Sequence, residues 1–302
     1  MKKQAAEVQS AQPLCHGILP APYLFLLIMQ DNMLQHAPLG QDVAFPQAYD
    51  PLLLFPISRS TNRQTLPIPA KWYGADIWNA YELSWLTPRG KPVVAVGQFT
   101  FPYSSPSLVE SKSFKLYLNS FSEERYVDAA AVSAVMRHDL EKVTEQQIAI
   151  NIVPLSGNER QLCQPLEGIN IDAADIEIKH YSPAPERLAC LSDASVVTET
   201  LVSDLLKSNC PVTGQPDWAS VQIRYTGPQI NREALLEYIV SLRRHTEFHE
   251  HCVEKMFCDI WAACAPQALF VRACYTRRGG LDINPWRSSE PAQPQPARTI
   301  RQ

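Results

Sequence analysis

A chain of 302 residues is longer than one hydrophobic core needs and suits two domains of ordinary size. With 45% hydrophobic and 19% charged residues it excludes a disordered chain, and a net charge of −4 excludes a protein that grips nucleic acid by bulk positive charge. Glycines number 11 against 25 prolines, and neither GxGxxG nor GxxxxGKS/T occurs, so a nucleotide would have to bind outside a Rossmann or P-loop cradle.

Lys2, Lys3 and the apolar run Tyr23–Met29 faintly suggest a signal peptide. That run is only seven residues, prolines flank it, and the polar Gln30-Asp-Asn-Met-Leu-Gln35 follows where a small-residue cleavage site would stand. Residues 1–45 read as an extension, disordered in part, or translation begins at Met33. Next, Trp78–Leu86 and Pro92–Phe101 are β-rich runs either side of Thr87-Pro-Arg-Gly-Lys91, which predicts a hairpin. Helices are predicted over 113–120 and 127–142, the second with Ala131, Val135 and Leu140 on one face. Gln147–Val153 and Asp175–Tyr181 alternate as strands.

The plan then repeats. Strands are predicted over 199–206 and 219–225, and Asn231 caps a helix to Arg243 with Glu233 in its first turn. A further helix covers 247–263, with Val253, Phe257, Ile260 and Trp261 on its apolar side. A strand over 268–276 leads into a Thr276–Gly280 turn. Two rounds of the same order predict an α+β fold with antiparallel sheets. The halves are expected at 46–165 and 166–288, followed by a solvated tail at 289–302. Open sheet edges predict pairing between halves or subunits.

Eight cysteines in a chain this long form no dense disulfide framework, so reduced thiols are expected. His245-Thr-Glu-Phe-His-Glu-His-Cys252 superficially suggests zinc, but it is not HExxH and no CxxC completes a four-ligand set, so no metal is expected. Cys210, followed by Pro211, stands where a strand turns out of the sheet, and Asp217 returns seven residues later on a loop stiffened by Pro216. A thiol and a carboxylate so placed suit a nucleophile and a proton carrier, or equally a buried structural Cys beside a turn-forming Asp. Glu110-Ser-Lys-Ser-Phe-Lys115 opens a helix whose positive end and lysines suit an anion, or merely a solvated cap. His249-Glu250 sits inside a helix, and the arginines and glycines of Tyr275–Gly280 suit a phosphate-contacting turn.

Together these segments resemble one family. Glu110-Ser-Lys-Ser-Phe-Lys-Leu-Tyr117, Cys210-Pro-Val-Thr-Gly-Gln-Pro-Asp217, His249-Glu250 and Tyr275-Thr-Arg-Arg-Gly-Gly-Leu-Asp-Ile-Asn-Pro-Trp-Arg287 match, in order and spacing, the QueF-type nitrile reductases, which reduce 7-cyano-7-deazaguanine with NADPH in queuosine biosynthesis. The likeness runs from about Tyr49 to Arg287. It implies two tandem tunnelling-fold (T-fold) halves, each an antiparallel sheet with two helices packed on one face. It also implies a role for each matched residue. Cys210 would form a thioimide with the nitrile, Asp217 would carry the proton, and His249 would position the reacting group or relay a proton. Val109, Glu110, Ser111, His249 and Glu250 would bind substrate, with Glu250 accepting from the guanine-like edge. Ser111, Lys112, Arg278 and Gly279 would bind NADPH. A cytoplasmic homodimer binding neither nucleic acid nor membrane is the further expectation. Two alternatives remain from the sequence: another T-fold pterin or purine hydrolase, and a non-catalytic deazapurine-binding protein.

Overall fold

In the computed structural model, residues 45–46, 48–155, 163–296 and 298–302 are described, so the expected extension at 1–45 lies outside the described residues apart from Phe45. The strands are β1 (Pro56–Ser58), β2 (Tyr73–Leu86), β3 (Pro92–Pro102), β4 (Ser107–Val109), β5 (Ala149–Pro154), β6 (Ile169–Asn170), β7 (Val196–Asn209), β8 (Pro216–Pro228), β9 (Ala268–Tyr275) and β10 (Leu281–Ser288). The helices are α1 (Arg59–Arg63), α2 (Ser111–Asn119), α3 (Ala129–Thr144), α4 (Arg232–Ser241) and α5 (His249–Cys264).

Thr87–Lys91 closes the β2–β3 hairpin as its sequence predicts: the Thr87 amide donates to the Lys91 carbonyl at 2.9 Å, and Gly90 takes φ +83°. Each half contains a 14-residue strand that carries a bulge, between Ala80 and Leu83 in β2 and between Ser203 and Leu206 in β7. The extra residue bends the strand yet returns Leu83 and Leu206 to the buried face. β1 and β4 pair antiparallel on their own, and the other eight strands run in the order β5-β3-β2-β10-β9-β8-β7-β6, antiparallel except for the short β6–β7 pair. The expected pairing between halves therefore falls within the chain: β10 lies antiparallel to β2 over Leu281–Ser288 and makes one eight-stranded sheet of the two.

The helices begin where capping chemistry puts them. Asp128 accepts from the Ala131 amide, and Asn231 from the Glu233 and Ala234 amides. Two apolar clusters lie beneath them. One holds Trp78, Phe99, Phe114, Tyr117 and Leu140 of the first half; the other holds Leu201, Tyr225, Tyr238, Val253 and Phe257 of the second. Each large side chain so buried contributes roughly 1.5–3 kcal/mol.

Ionic groups tie the halves together. Arg287 on β10 donates to Asp76 on β2 at 2.8 Å and to Glu254 on α5 at 2.7 Å, while Arg59 and Arg63 of α1 engage Asp76 and Glu254 in turn. Arg59, Asp76, Glu254 and Arg287 are all buried.

Two expectations are corrected. Asp175–Tyr181 alternates in sequence but forms no strand. Ile176 packs on the second core, and the Tyr181 carbonyl accepts instead from the Arg244 amide at 2.9 Å, so the alternation reflects two environments rather than a ladder. Part of 289–302 is not solvated: Thr299 and Gln302 are buried, and the Gln302 amide donates to Asn284 at 2.5 Å. The segment's prolines deny it a helix or strand, but its polar side chains satisfy the polar face of β10.

Candidate functional site

The β7–β8 register places Ser208 opposite Asp217 and Asn209 opposite Pro216. Beyond it the Cys210 amide donates to the Gln215 carbonyl at 2.9 Å and the Gly214 amide to the Cys210 carbonyl at 3.0 Å, with Gly214 at φ +65°. Cys210 thus faces Gln215 across the turn, and because strand side chains alternate, Cys210 and Asp217 project to the same side. Both are buried and both line one pocket.

Around that pocket also stand Trp78 from β2, Val109 from β4, Ser111 and Lys115 from α2, His249 and Glu250 from the first turn of α5, Tyr275 from the end of β9 and Arg278 from the β9–β10 connection. Neither half supplies the whole lining. His249 Nε2 lies 3.5 Å from Asp217 Oδ1, and its ring packs 4.0 Å, centroid to centroid, from that of Tyr275. Arg278 makes a close ion pair with Asp217 and a second contact to the Gln215 side-chain carbonyl. Burial alone would raise the Asp217 carboxyl, but His249 and Arg278 outweigh it and hold it below the ordinary carboxylate range. Glu250 goes the other way: burial, with the Asp76 charge behind it, pushes its carboxyl up.

Most of the residues expected at the site meet here. Val109, Ser111, Cys210, Asp217, His249, Glu250 and Arg278 share the pocket. Lys112, Arg278 and Gly279 line an adjoining cavity with Lys115, which borders both. Glu110 lines neither. Its carboxylate caps α2, accepting from the Lys112 and Ser113 amides at 2.7 Å each, with burial lifting its carboxyl above the usual range. The structure also brings in Lys115, which the sequence offered only as an anion-facing lysine, and Tyr275 and Trp78, to which it gave no site role. Lys115 sits one helical turn after Ser111, a spacing that sequence does carry; burial, with Arg278 adding to it, pushes its ammonium down. Tyr275 and Trp78 give no such signal, since only tertiary packing brings them in.

The outer cavity suits an anionic cofactor. Arg278 and Leu281 exchange backbone hydrogen bonds around Gly279 (φ +55°) and Gly280 (φ +72°), a two-residue turn with positive φ at both centres. A Cβ at Gly279 would lie 3.2 Å from Lys115 Nζ, so glycine keeps the approach to that ammonium open. Lys112, Lys115 and Arg278 give the rim its positive charge, where phosphates are held best by guanidinium and ammonium groups. His251, from the run that suggested zinc, has Nδ1 facing Asn62 and Glu247.

Such a concentration of thiol, imidazole, carboxylates and cations on one seam marks an enzyme's active site. Comparison with known proteins makes it particular. The family model described as "Nitrile reductase, 7-cyano-7-deazaguanine-reductase N-term" matches residues 45–152, and that described as "QueF-like protein" matches 216–294. Curated relatives named NADPH-dependent 7-cyano-7-deazaguanine reductase include that of Bordetella pertussis, 56% identical over 89% of this chain and 99% of its own length. That of Delftia acidovorans is 51% identical over 90% and 100%, and that of Coxiella burnetii 53% over 84% and 91%. A solved apo archaeosine synthase QueF-Like aligns with 34% of this chain and all of its own at 18% identity, with a TM-score of 0.29 that decides nothing about the fold. The chain belongs to the 7-cyano-7-deazaguanine reductase family.

Proposed function

We propose that this chain reduces the nitrile of 7-cyano-7-deazaguanine to an aminomethyl group at the expense of two NADPH, through a thioimide on Cys210. The observation that carries the reading is the face shared by Cys210 and Asp217 at the β7–β8 turn, in one pocket with Glu250 and with Val109 and Ser111 of the other half.

The residues suit the chemistry step by step. Asp217, kept ionised by His249 and Arg278, takes the proton of the Cys210 thiol. The thiolate adds to the nitrile carbon, a C–S bond replaces one C–N π bond, and the nitrogen takes the proton back from Asp217. Two NADPH molecules, bound in succession, would each supply one hydride, the first for the thioimide carbon and the second for the imine left once Cys210 has departed as thiolate. The His249–Asp217 pair is placed to hand on the protons that balance them. Between the two deliveries the pocket walls keep water from the imine. Glu250 accepts from the ring N–H and exocyclic amine, donors that an apolar wall would leave unsatisfied. Val109 and Ser111 line the substrate space, and Glu110 acts through the first turn of α2, which it caps. Ser111, Lys112, Lys115, Arg278 and Gly279 hold the cofactor.

The same reading makes 46–165 and 166–288 two T-fold halves of a cytoplasmic homodimer that serves queuosine synthesis. Each half having a core built mainly of its own residues, and β5 being an edge strand with no partner on one side among the described residues, support it. The test is NADPH oxidation with 7-cyano-7-deazaguanine, counting cofactor consumed per nitrile lost. Two per nitrile with the amine formed is the expected result; no oxidation by folded protein overturns the reading.

A further inference from the structure

Glu250 is held from the opposite half. The indole Nε1–H of Trp78 donates to its Oε1 at 3.1 Å, and both side chains are buried at the pocket wall. Trp78 has little freedom to point elsewhere. Phe101 and Phe114 stand edge-on to its ring, with centroids 5.3 and 5.4 Å away. Below it the register is fixed by charge. Asp76, two residues earlier on the same face of β2, and Glu254, one turn later on α5, are clasped by the same Arg287. Two residues of strand rise about 6.6 Å and four of helix about 6 Å, so one arginine clamp below aligns Trp78 with Glu250 above.

We infer that Trp78 is the positioning residue for the substrate-recognising carboxylate: its N–H occupies Oε1, fixes the plane of the group and leaves Oε2 for the purine-like edge. This rests on the substrate-binding role proposed above for Glu250. The charged groups facing Glu250 are Asp76 from β2, Arg59 from α1 and His249 on its own helix; Asp76 and burial disfavour its ionised form, and Arg59 and His249 favour it. The Trp78 N–H is one more donor to that form. Without it Glu250 takes up a proton at higher pH and turns more freely, and both changes weaken substrate binding more than the later chemistry.

A double-mutant cycle with steady-state kinetics tests this. Trp78→Phe is expected to raise the KM for the nitrile about tenfold with kcat within about threefold, and to move the acidic limb of log(1/KM) to higher pH. In a Glu250→Gln background the same change should cost less than twofold. Site-specific replacement of Trp78 by benzothienylalanine, which keeps the bicyclic shape and lacks the N–H, should reproduce the Trp78→Phe kinetics and guards against a folding defect. If Glu250→Gln leaves KM unchanged, the carboxylate's role falls and the inference with it. If Glu250→Gln raises KM while Trp78→Phe adds its full effect in both backgrounds, or benzothienylalanine behaves as tryptophan, Trp78 is only packing and the inference alone is overturned.

Discussion

His249 Nε2 stands 3.5 Å from Asp217 Oδ1, which puts an imidazole at the start of α5 and a carboxylate at the start of β8 within one proton's reach of each other beside Cys210. Arg278 closes on the same carboxylate from the β9–β10 turn. Asp217 is thereby held below the ordinary carboxylate range and ionised at neutral pH, which fits the proposed role of proton acceptor at the start of the reaction.

That arrangement fixes a pH prediction. A depressed carboxyl keeps Asp217 charged as pH falls toward 4, and removing a cationic partner raises its pKa. Arg278→Ala is therefore expected to shift the acidic limb of kcat/KM upward by about one pH unit, since a unit corresponds to about 1.4 kcal/mol of lost pairing. It should also raise the KM for NADPH. Asp217→Asn should lower kcat about 10²–10⁴-fold, the usual worth of a positioned proton carrier. An unshifted limb in Arg278→Ala would separate the guanidinium from Asp217 in function.

Covalent chemistry at Cys210 is checked without the cofactor. Mixed with 7-cyano-7-deazaguanine alone, the protein should gain the mass of one nitrile, and Cys210→Ala should gain none. Because the proposed purine-edge contacts sit on Glu250 and the first half, Cys210→Ala should still bind the nitrile within a few-fold by calorimetry. An adduct on any other cysteine would move the nucleophile.

The sequence made much of this legible, and where it failed the reasons are specific. The hairpin turn at Thr87–Lys91 and the Asn231 cap are local chemistry, so a few residues sufficed. Cys210, Asp217, His249 and Arg278, which line one pocket, stood out through the resemblance of their motifs to one family, where spacing alone left each open to a structural reading. Asp175–Tyr181 misled because alternation does not say whether a strand edge is within reach. Trp78 and Glu250 are 172 positions apart, and nothing local tells that an indole from one hairpin meets a carboxylate from the other half. Glu110 was read as a solvated cap or a ligand contact; it is a cap, but a buried one.

The halves echo each other in a contact that should matter to stability and not to turnover. Tyr117 donates to Asp139 at 2.6 Å between α2 and α3, and Tyr238 donates to Asp259 at 2.6 Å between α4 and α5. Ser120 and Ser241, each three residues after its tyrosine, donate back to the tyrosine carbonyl at 2.6 Å. Tyr238→Phe leaves a buried carboxylate with Lys255 as its remaining side-chain partner among the described residues and should cost about 1–3 kcal/mol. Urea unfolding should show it, with kcat and KM unchanged in the folded protein.

The ionic seam of Asp76, Arg287, Glu254, Arg59 and Arg63 predicts how stability depends on pH. Burial would raise both carboxyls, yet the arginines outweigh it and hold Asp76 and Glu254 below the ordinary range. A carboxyl depressed in the folded state contributes fully above its unfolded pKa, near 4, and its contribution drains away as pH falls toward the folded value. The unfolded chain binds more protons in that window, so stability must fall with falling pH there. Urea midpoints are expected to stay level from pH 7 to about 5 and to drop steeply below about 4. Glu254→Gln removes one of those two carboxyls and leaves Arg287 and Arg63 without their shared partner. It should cost about 3–5 kcal/mol at pH 7, as breaking a buried pair does, and flatten the acid slope. A variant that unfolds at the wild-type midpoint, with the acid slope intact, would show that packing rather than charge holds the two halves together.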